Sequence, residues 1–303
     1  MTLGWHWRTL VGSPPVGRED LDLLGTIGDL VEDVVVELGG SVSLAADTDA
    51  VVRRRRGGSA ANVAVAAARI SGRSRFVGQV GDDAVGERLV ADLEAAGVET
   101  RVSRGGRSGT IVVLVDSEGE RTMLSDRATC VELDHVDPDW LDGLHTLHVP
   151  MYSLVEDPLA ASTRRLIGLA HDQGLTVSVD VSSTSIIAEL GADEVRDLIE
   201  SLRPHVMFAN EAEAAILASV GSLDSVGAGI VVARRGPGPV SVITGSSAPT
   251  EVPAHELHEV RNTTGAGDAF AAGFMTALAS GAAPPAAARA GHDAARDVIE
   301  HSG

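Results

Sequence analysis

Five short apolar runs, at 146–149, 176–179, 206–209, 230–233 and 240–244, recur along the second half of the chain, with helical stretches at 159–173, 193–202 and 211–220 between several of them. Strands that are apolar on both faces need cover on both sides. The alternation therefore predicts a mostly parallel sheet between two helical layers, with right-handed crossovers. Two more helices are expected at 266–280 and 285–300. In the first half, Val34-Val35-Val36 reads as the first strand, after a turn-like Gly25-Thr26-Ile27-Gly28-Asp29. An alanine-rich helix follows at 60–70, a strand at 76–80, and a helix at 84–96 closed by Gly97.

Two strand-like, polar stretches, 36–57 and 98–126, break the alternation because no helix separates their strands. Within the second, 110–115 and 121–124 flank the turn signal Gly119-Glu120. If the two stretches pair, they form a small sheet, placed as a lid over a site at the strand ends. The expected fold class is thus α/β: one domain over 21–303, a three-layer α/β/α sandwich with a small β-sheet lid. Residues 1–20, with two tryptophans and Pro14-Pro15, read as an N-terminal extension without the apolar core of a signal peptide.

Composition removes several chemistries. All 24 basic residues are arginine, and the chain contains no lysine. That excludes the P-loop lysine, a Schiff-base or pyridoxal-phosphate amine, and the strand lysine of protein kinases. A formal charge of −19 argues against nucleic acid or an anionic membrane as partner. The single Cys130 permits no internal disulfide and suits a reducing, cytoplasmic setting. No run approaches the roughly 18 apolar residues of a membrane span.

The strongest motif is Asn262-Thr263-Thr264-Gly265-Ala266-Gly267-Asp268-Ala269-Phe270, a glycine turn that opens into an alanine-rich helix. The N–H groups of Gly265, Ala266 and Gly267 would be helix-start donors, a natural anion hole. Asp268, in the first turn, could take a proton from an attacking hydroxyl while those amides hold a phosphoryl group. Read alone, the segment is equally a capping turn whose aspartate satisfies the helix dipole. A second double glycine, Gly57-Gly58, leads into Ser59-Ala60-Ala61-Asn62, where the Asn62 amide suits sugar hydroxyls. In Gly28-Asp29-Leu30-Val31-Glu32-Asp33, the Asp33 carboxylate could accept from two adjacent hydroxyls, or could lie on an exposed acidic turn.

In this order and spacing, the three segments resemble the PfkB family of carbohydrate kinases, with its ribokinase-like fold. Gly78-x-x-Gly81-Asp82-Asp83-x-x-Gly86 and Asn210-Glu211-Ala212-Glu213, an N-x-x-E motif, extend the similarity from about Leu23 to the end of the chain. The resemblance implies transfer of the ATP γ-phosphoryl group to a hydroxyl of a sugar or related small molecule. It assigns Asp268 as catalytic base and Gly265, Ala266 and Gly267 as the anion hole. It assigns Asp33, Gly57, Gly58 and Asn62 to the acceptor. It assigns Asn210, Thr264, Arg235, Gly236 and Gly238 to the nucleotide, and Glu213 to Mg²⁺ through water. A nucleoside kinase, or a catalytically weak binding relative, is the alternative within the same resemblance. Some members dimerise by pairing lids, so a homodimer through the lid is one assembly it allows.

Several positions depart from the family pattern. Asn262 stands where the family signature starts with Asp, a residue that helps hold K⁺, so strong K⁺ activation is not expected. Pro239 replaces the second glycine of the G-x-x-G loop in Arg235-Gly236-Pro237-Gly238-Pro239, and Val31 replaces the Asn of ribokinases. The chain stops at His301-Ser302-Gly303, near where relatives continue past a loop by the adenine, so a less complete nucleotide pocket is expected. Other groups read as structural. The run Arg53 to Arg56 reads as a solvated turn, Asp82-Asp83 as an N-cap, and Cys130 as a small apolar residue. Asp180 reads equally as a loop acid or a group facing the cleft.

Overall fold

A computed structural model describes residues 23–42, 45–258, 260 and 263–301. Its elements run in order β1 (Leu23–Ile27), β2 (Val31–Leu38), β3 (Ala50–Gly57), α1 (Ser59–Ser71), β4 (Ser74–Val80), α2 (Ala84–Ala95), β5 (Val98–Arg104), β6 (Thr110–Val115) and β7 (Arg121–Asp126). They continue with β8 (Leu144–Pro150), α3 (Leu159–Asp172), β9 (Thr176–Asp180), α4 (Thr184–Leu190), α5 (Ala192–Leu202), β10 (Val206–Asn210), α6 (Glu211–Ser219), β11 (Ile230–Arg234), β12 (Val240–Thr244), β13 (Thr250–Val252), α7 (Ala266–Ala279) and α8 (Pro284–His301). The nine-stranded main sheet has the order β13-β12-β11-β10-β9-β8-β1-β4-β5. All its pairings are parallel except β11–β12 and β12–β13.

Strand alternation sorts the apolar residues between two faces. Met207 and Val231 pack with Leu166 of α3, Ile199 of α5 and Leu217 of α6. Their neighbours Phe208 and Val232 turn to the other face, against Val63 of α1, Phe270 and Phe274 of α7, and Ala287 of α8. Phe208 meets Phe274 edge-on at 5.3 Å, a geometry that contributes about 1 kcal/mol beyond area burial. Small side chains let α7 and α8 approach closely: a Cβ on Gly273 would lie 2.6 Å from the Ala290 carbonyl oxygen.

The expected layers and most expected elements are present, but the first strand differs. The main sheet begins with Leu23–Ile27, fully buried, and not with Val34-Val35-Val36. Gly25 suggested a turn, yet it serves close strand packing: a Cβ there would lie 2.4 Å from Leu144 Cδ1. Val34 to Val36 belong to β2 of a separate four-stranded sheet, in the order β3-β2-β6-β7.

That smaller sheet takes Val31–Leu38, Ala50–Gly57, Thr110–Val115 and Arg121–Asp126, so its boundaries differ from 36–57 and 98–126. Val98–Arg104 instead pairs in parallel with β4 at the edge of the main sheet. Arg53 to Arg56 form no turn but lie in β3, opposite Val35 to Glu32 of β2. Two anchors hold the smaller sheet to the body. Glu32, buried, accepts from Arg54 at 2.8 Å and from Arg88 of α2. Arg127, just past β7, donates to both Asp29 oxygens at 2.8 Å. The predicted extension at 1–20 lies outside the described residues.

Candidate active site

Two glycine turns face each other above the sheet. Gly58 precedes α1 with φ 100°, and a Cβ there would lie 2.1 Å from the Asp29 carbonyl oxygen, so only glycine fits without moving backbone. Gly265 precedes α7 in the left-handed region, at φ 79°. The first turns of the two helices meet at Asp268. Ser59 Oγ donates to Asp268 Oδ1 at 2.7 Å, and Asn62 Nδ2 donates to Oδ2 at 3.0 Å. Arg56 Nη1 donates to Asn62 Oδ1 at 2.8 Å, which turns the Asn62 amide toward the aspartate.

Burial raises the Asp268 pKa to about 6, against the opposing pull of the Ser59 and Asn62 hydrogen bonds. Asp180 adds to the rise and Arg234 opposes it. This places the group where a general base is half ionised just below neutrality. Beside it, the N–H groups of Gly265 and Gly267 have no backbone acceptor among the described residues. The Ala266 N–H, expected to be unpaired with them, bends back to the Thr263 carbonyl at 3.3 Å. Thr264 Oγ1 accepts from Arg121 of β7, so the smaller sheet reaches across to the glycine turn.

Three adjacent parallel strands end in polar residues: Asp180 closes β9, Asn210 closes β10 and Arg234 closes β11, the last two in register and Asp180 opposite Phe208. Ligand crevices in such sheets lie at these carboxyl ends. Arg234 donates to Asp180 Oδ1 at 3.0 Å and to the Gly267 carbonyl at 2.9 Å, with its guanidinium 5.8 Å from the Phe208 ring centroid. Asn210 caps α6, and the Glu213 carboxylate accepts from the Asn210 backbone N–H at 2.8 Å and from its side chain at 2.6 Å. Glu213 is buried, and that burial pushes its pKa to about 7.

A cavity of about 690 Å³ opens over these groups, lined among others by Asp180, Asn210, Glu213, Arg234, Gly265 and Asp268. Gly236 and Pro237 contribute to its wall. Gly238 instead closes a tight turn on the Arg235 carbonyl at 2.9 Å, and Arg235 pairs with Glu251 at 3.5 Å. A second cavity, about 150 Å³, lies on the other side of Gly265 and holds Asp33 and Asn62. Burial raises the Asp33 pKa, opposed by Arg55 and Arg56. A Cβ on Gly57 would lie 2.1 Å from Asp33 Oδ1.

The two cavities thus bring together Asp33, Asn62, Asn210, Glu213, Gly236, Thr264 and the 265–268 turn, whereas Gly57 and Gly58 line neither, Gly57 packing against the Asp33 side chain and Gly58 against the Asp29 carbonyl. Asn262 lies outside the described residues. Sequence reasoning passed over Ser59 and Arg234, whose partners are distant in the chain. Their signal was position alone: one opens the helix after Gly57-Gly58, the other closes a buried strand. The expected N-cap is found, with Asp83 Oδ1 accepting from the Gly86 N–H at 2.8 Å. Cys130 is buried, its pKa about 12. Among the described residues, no cluster of three His, Cys, Asp or Glu side chains could hold a metal, and no helix is long and apolar enough to cross a membrane.

Known proteins share both the sequence and the fold. The ATP-dependent ribose-1-phosphate kinase of Halopiger xanaduensis is 34% identical over 244 residues, 76% of this chain and 76% of that protein. A fructokinase of Klebsiella pneumoniae is 31% identical over 264 residues, 80% of this chain and 83% of that one. Among solved structures, the adenosine kinase of Sinorhizobium meliloti superposes with a TM-score of 0.81 at 25% identity, covering 94% of this chain and 95% of its own. The fructokinase of Xylella fastidiosa with bound ATP gives 0.79 at 22% identity, covering 93% of each chain. The sequence model of the pfkB family carbohydrate kinases matches residues 27–303. With the paired glycine turns and the aspartate between them, these matches show that the chain belongs to the pfkB family of carbohydrate kinases, phosphotransferases with an alcohol group as acceptor.

Proposed function

We propose that the protein transfers the γ-phosphoryl group of ATP to a hydroxyl of a sugar or sugar-like acceptor, with Asp268 as the base. The observation that carries this reading is the place of Asp268, held by Ser59 and Asn62 where the larger and smaller cavities meet at Gly265. The nucleotide occupies the larger cavity and the acceptor the smaller. The acceptor oxygen attacks the γ-phosphorus, the bond from that phosphorus to the bridging oxygen breaks, and the hydroxyl proton passes to the Asp268 carboxylate. The Gly265 and Gly267 amides are placed to take up the charge spread over the transferring oxygens.

The oxygen-rich strand ends suit a hard cation such as Mg²⁺, yet they form no cage of carboxylates. Mg²⁺ arriving on the nucleotide phosphates would neutralise their charge, with Glu213 and Asp180 reaching it through water. The smaller sheet acts as a lid, and the bond from Arg121 to Thr264 is its latch to the glycine turn. Relatives bear the names of kinases for ribose 1-phosphate, fructose and adenosine, so the acceptor screen includes each class. The test is ATP consumption, coupled to detection of a phosphorylated acceptor. ATP-dependent product from any of these supports the reading, and none with any of them overturns it.

A further inference from the structure

Three arginines surround the smaller cavity, and the transfer step draws on the charge of none of them, Arg56 serving it only by orienting the Asn62 amide. Arg55, Arg56 and Arg69 line it with Asp33 and Asn62. Helix α1 gives the cavity a length. Asn62 and Arg69 are seven residues apart on one helix face, roughly 10 Å along the axis. Helical side chains lean toward the N-terminus, so Arg69 reaches back toward Asn62. The attacked hydroxyl sits at the Asn62 end, beside Asp268, and the guanidinium of Arg69 sits at the other.

Charge in this wall is unbalanced. Asp33 pairs with Arg55 at 3.8 Å, and Arg56 bonds to a neutral amide oxygen at 2.8 Å. Three cations thus line this cavity with a single carboxylate, Asp33, while Asp268 and Asp92 act on Arg56 from outside the lining, in a chain whose formal charge is −19. Arg56 is held below its usual range by burial first and then by the like charge of Arg69, against the opposing pull of Asp268, Asp33 and Asp92. Crowded guanidinia of this kind are relieved by an anion that accepts from both, and a phosphate does so with matching geometry. A neutral polyol would gain nothing from that crowding.

We propose that the acceptor is already phosphorylated: a sugar phosphate whose phosphate lies among Arg55, Arg56 and Arg69. Its ring hydroxyls meet Asp33 and Asn62, and its free hydroxyl faces Asp268. This rests on the kinase reading of the same site. The balance is ATP plus sugar monophosphate giving ADP, sugar bisphosphate and a proton. One phosphorus–oxygen bond to the ADP bridging oxygen breaks, and one to the acceptor oxygen forms.

The test compares ribose with ribose 1-phosphate and ribose 5-phosphate, fructose with fructose 1-phosphate and fructose 6-phosphate, and adenosine, under saturating ATP. The best phosphorylated acceptor is expected to exceed its neutral parent in kcat/KM by about 100-fold, from two charge-assisted contacts. Arg69→Ala lowers that ratio about tenfold, and Arg69→Lys restores part of it. A neutral sugar or adenosine turned over as well as any sugar phosphate overturns the proposal, and so does an unchanged ratio in Arg69→Ala. Binding is read separately by calorimetry on the Asp268→Asn protein with the same compounds. Preferential binding of a sugar phosphate without turnover by the wild type overturns the kinase reading and supports the acceptor class. Binding without that preference overturns the acceptor class, whatever the turnover.

Discussion

Ser59 donates its hydroxyl hydrogen to Asp268 across 209 residues of sequence, at 2.7 Å. The bond joins the first turns of α1 and α7 and stabilises the charged form of the aspartate. Removing it should therefore raise the aspartate pKa. In Ser59→Ala the acid limb of the kcat/KM profile is expected to move to higher pH by about half a unit to one unit. A pH–rate series on wild type and variant measures it, and an unmoved or lowered limb contradicts the assigned bond.

The wild-type profile has its own expectation. Asp268 must be ionised to take the proton, and its pKa is raised to about 6. Activity is thus full above that value and falls as pH drops through it, roughly tenfold per unit. Initial rates between pH 4.5 and 8 test the sign and the midpoint. Rates that rise on acidification would contradict a base at this position.

The Arg234–Asp180 pair is nearly enclosed, with side chains 14% and 7% exposed. Removing one partner leaves the other buried without its counter-charge, at a cost of about 3 kcal/mol. Arg234→Met should cost that much in denaturant unfolding. The double variant Arg234→Met, Asp180→Leu should cost less than the single one, since no lone charge remains. Additive losses would show that the two residues act independently.

Gly57 and Gly58 should respond differently to alanine. A Cβ on Gly57 meets the tip of the Asp33 side chain, which can swing away. Gly57→Ala is expected to keep stability within about 1 kcal/mol while raising the acceptor KM about tenfold. A Cβ on Gly58 meets backbone at 2.1 Å, and its φ of 100° strains any L side chain. Gly58→Ala should lose about 2 kcal/mol or more in thermal or chemical unfolding.

The layers and the 265–268 turn were legible because both are local. Buried strands announce themselves by apolar runs, and the 265–268 turn by glycine before a helix. Leu23–Ile27 was misread because Gly25 carries the same letter whether it makes a turn or lets Leu144 pack close. Val98–Arg104 looked like part of the lid because partner choice is not local: its polar strand takes the main-sheet edge beside β4. Arg234 and Ser59 gained meaning only from Gly267, Asp180 and Asp268, which the fold alone brings near them.

The central claim is that Asp268 takes the hydroxyl proton during transfer from ATP. Its most direct test is phosphoryl transfer by Asp268→Asn, followed by ³¹P NMR with the best acceptor, alongside nucleotide affinity by calorimetry. The expected result is a loss of about 10²–10⁴-fold in turnover with ATP still bound. Turnover close to wild type in that variant would contradict the account.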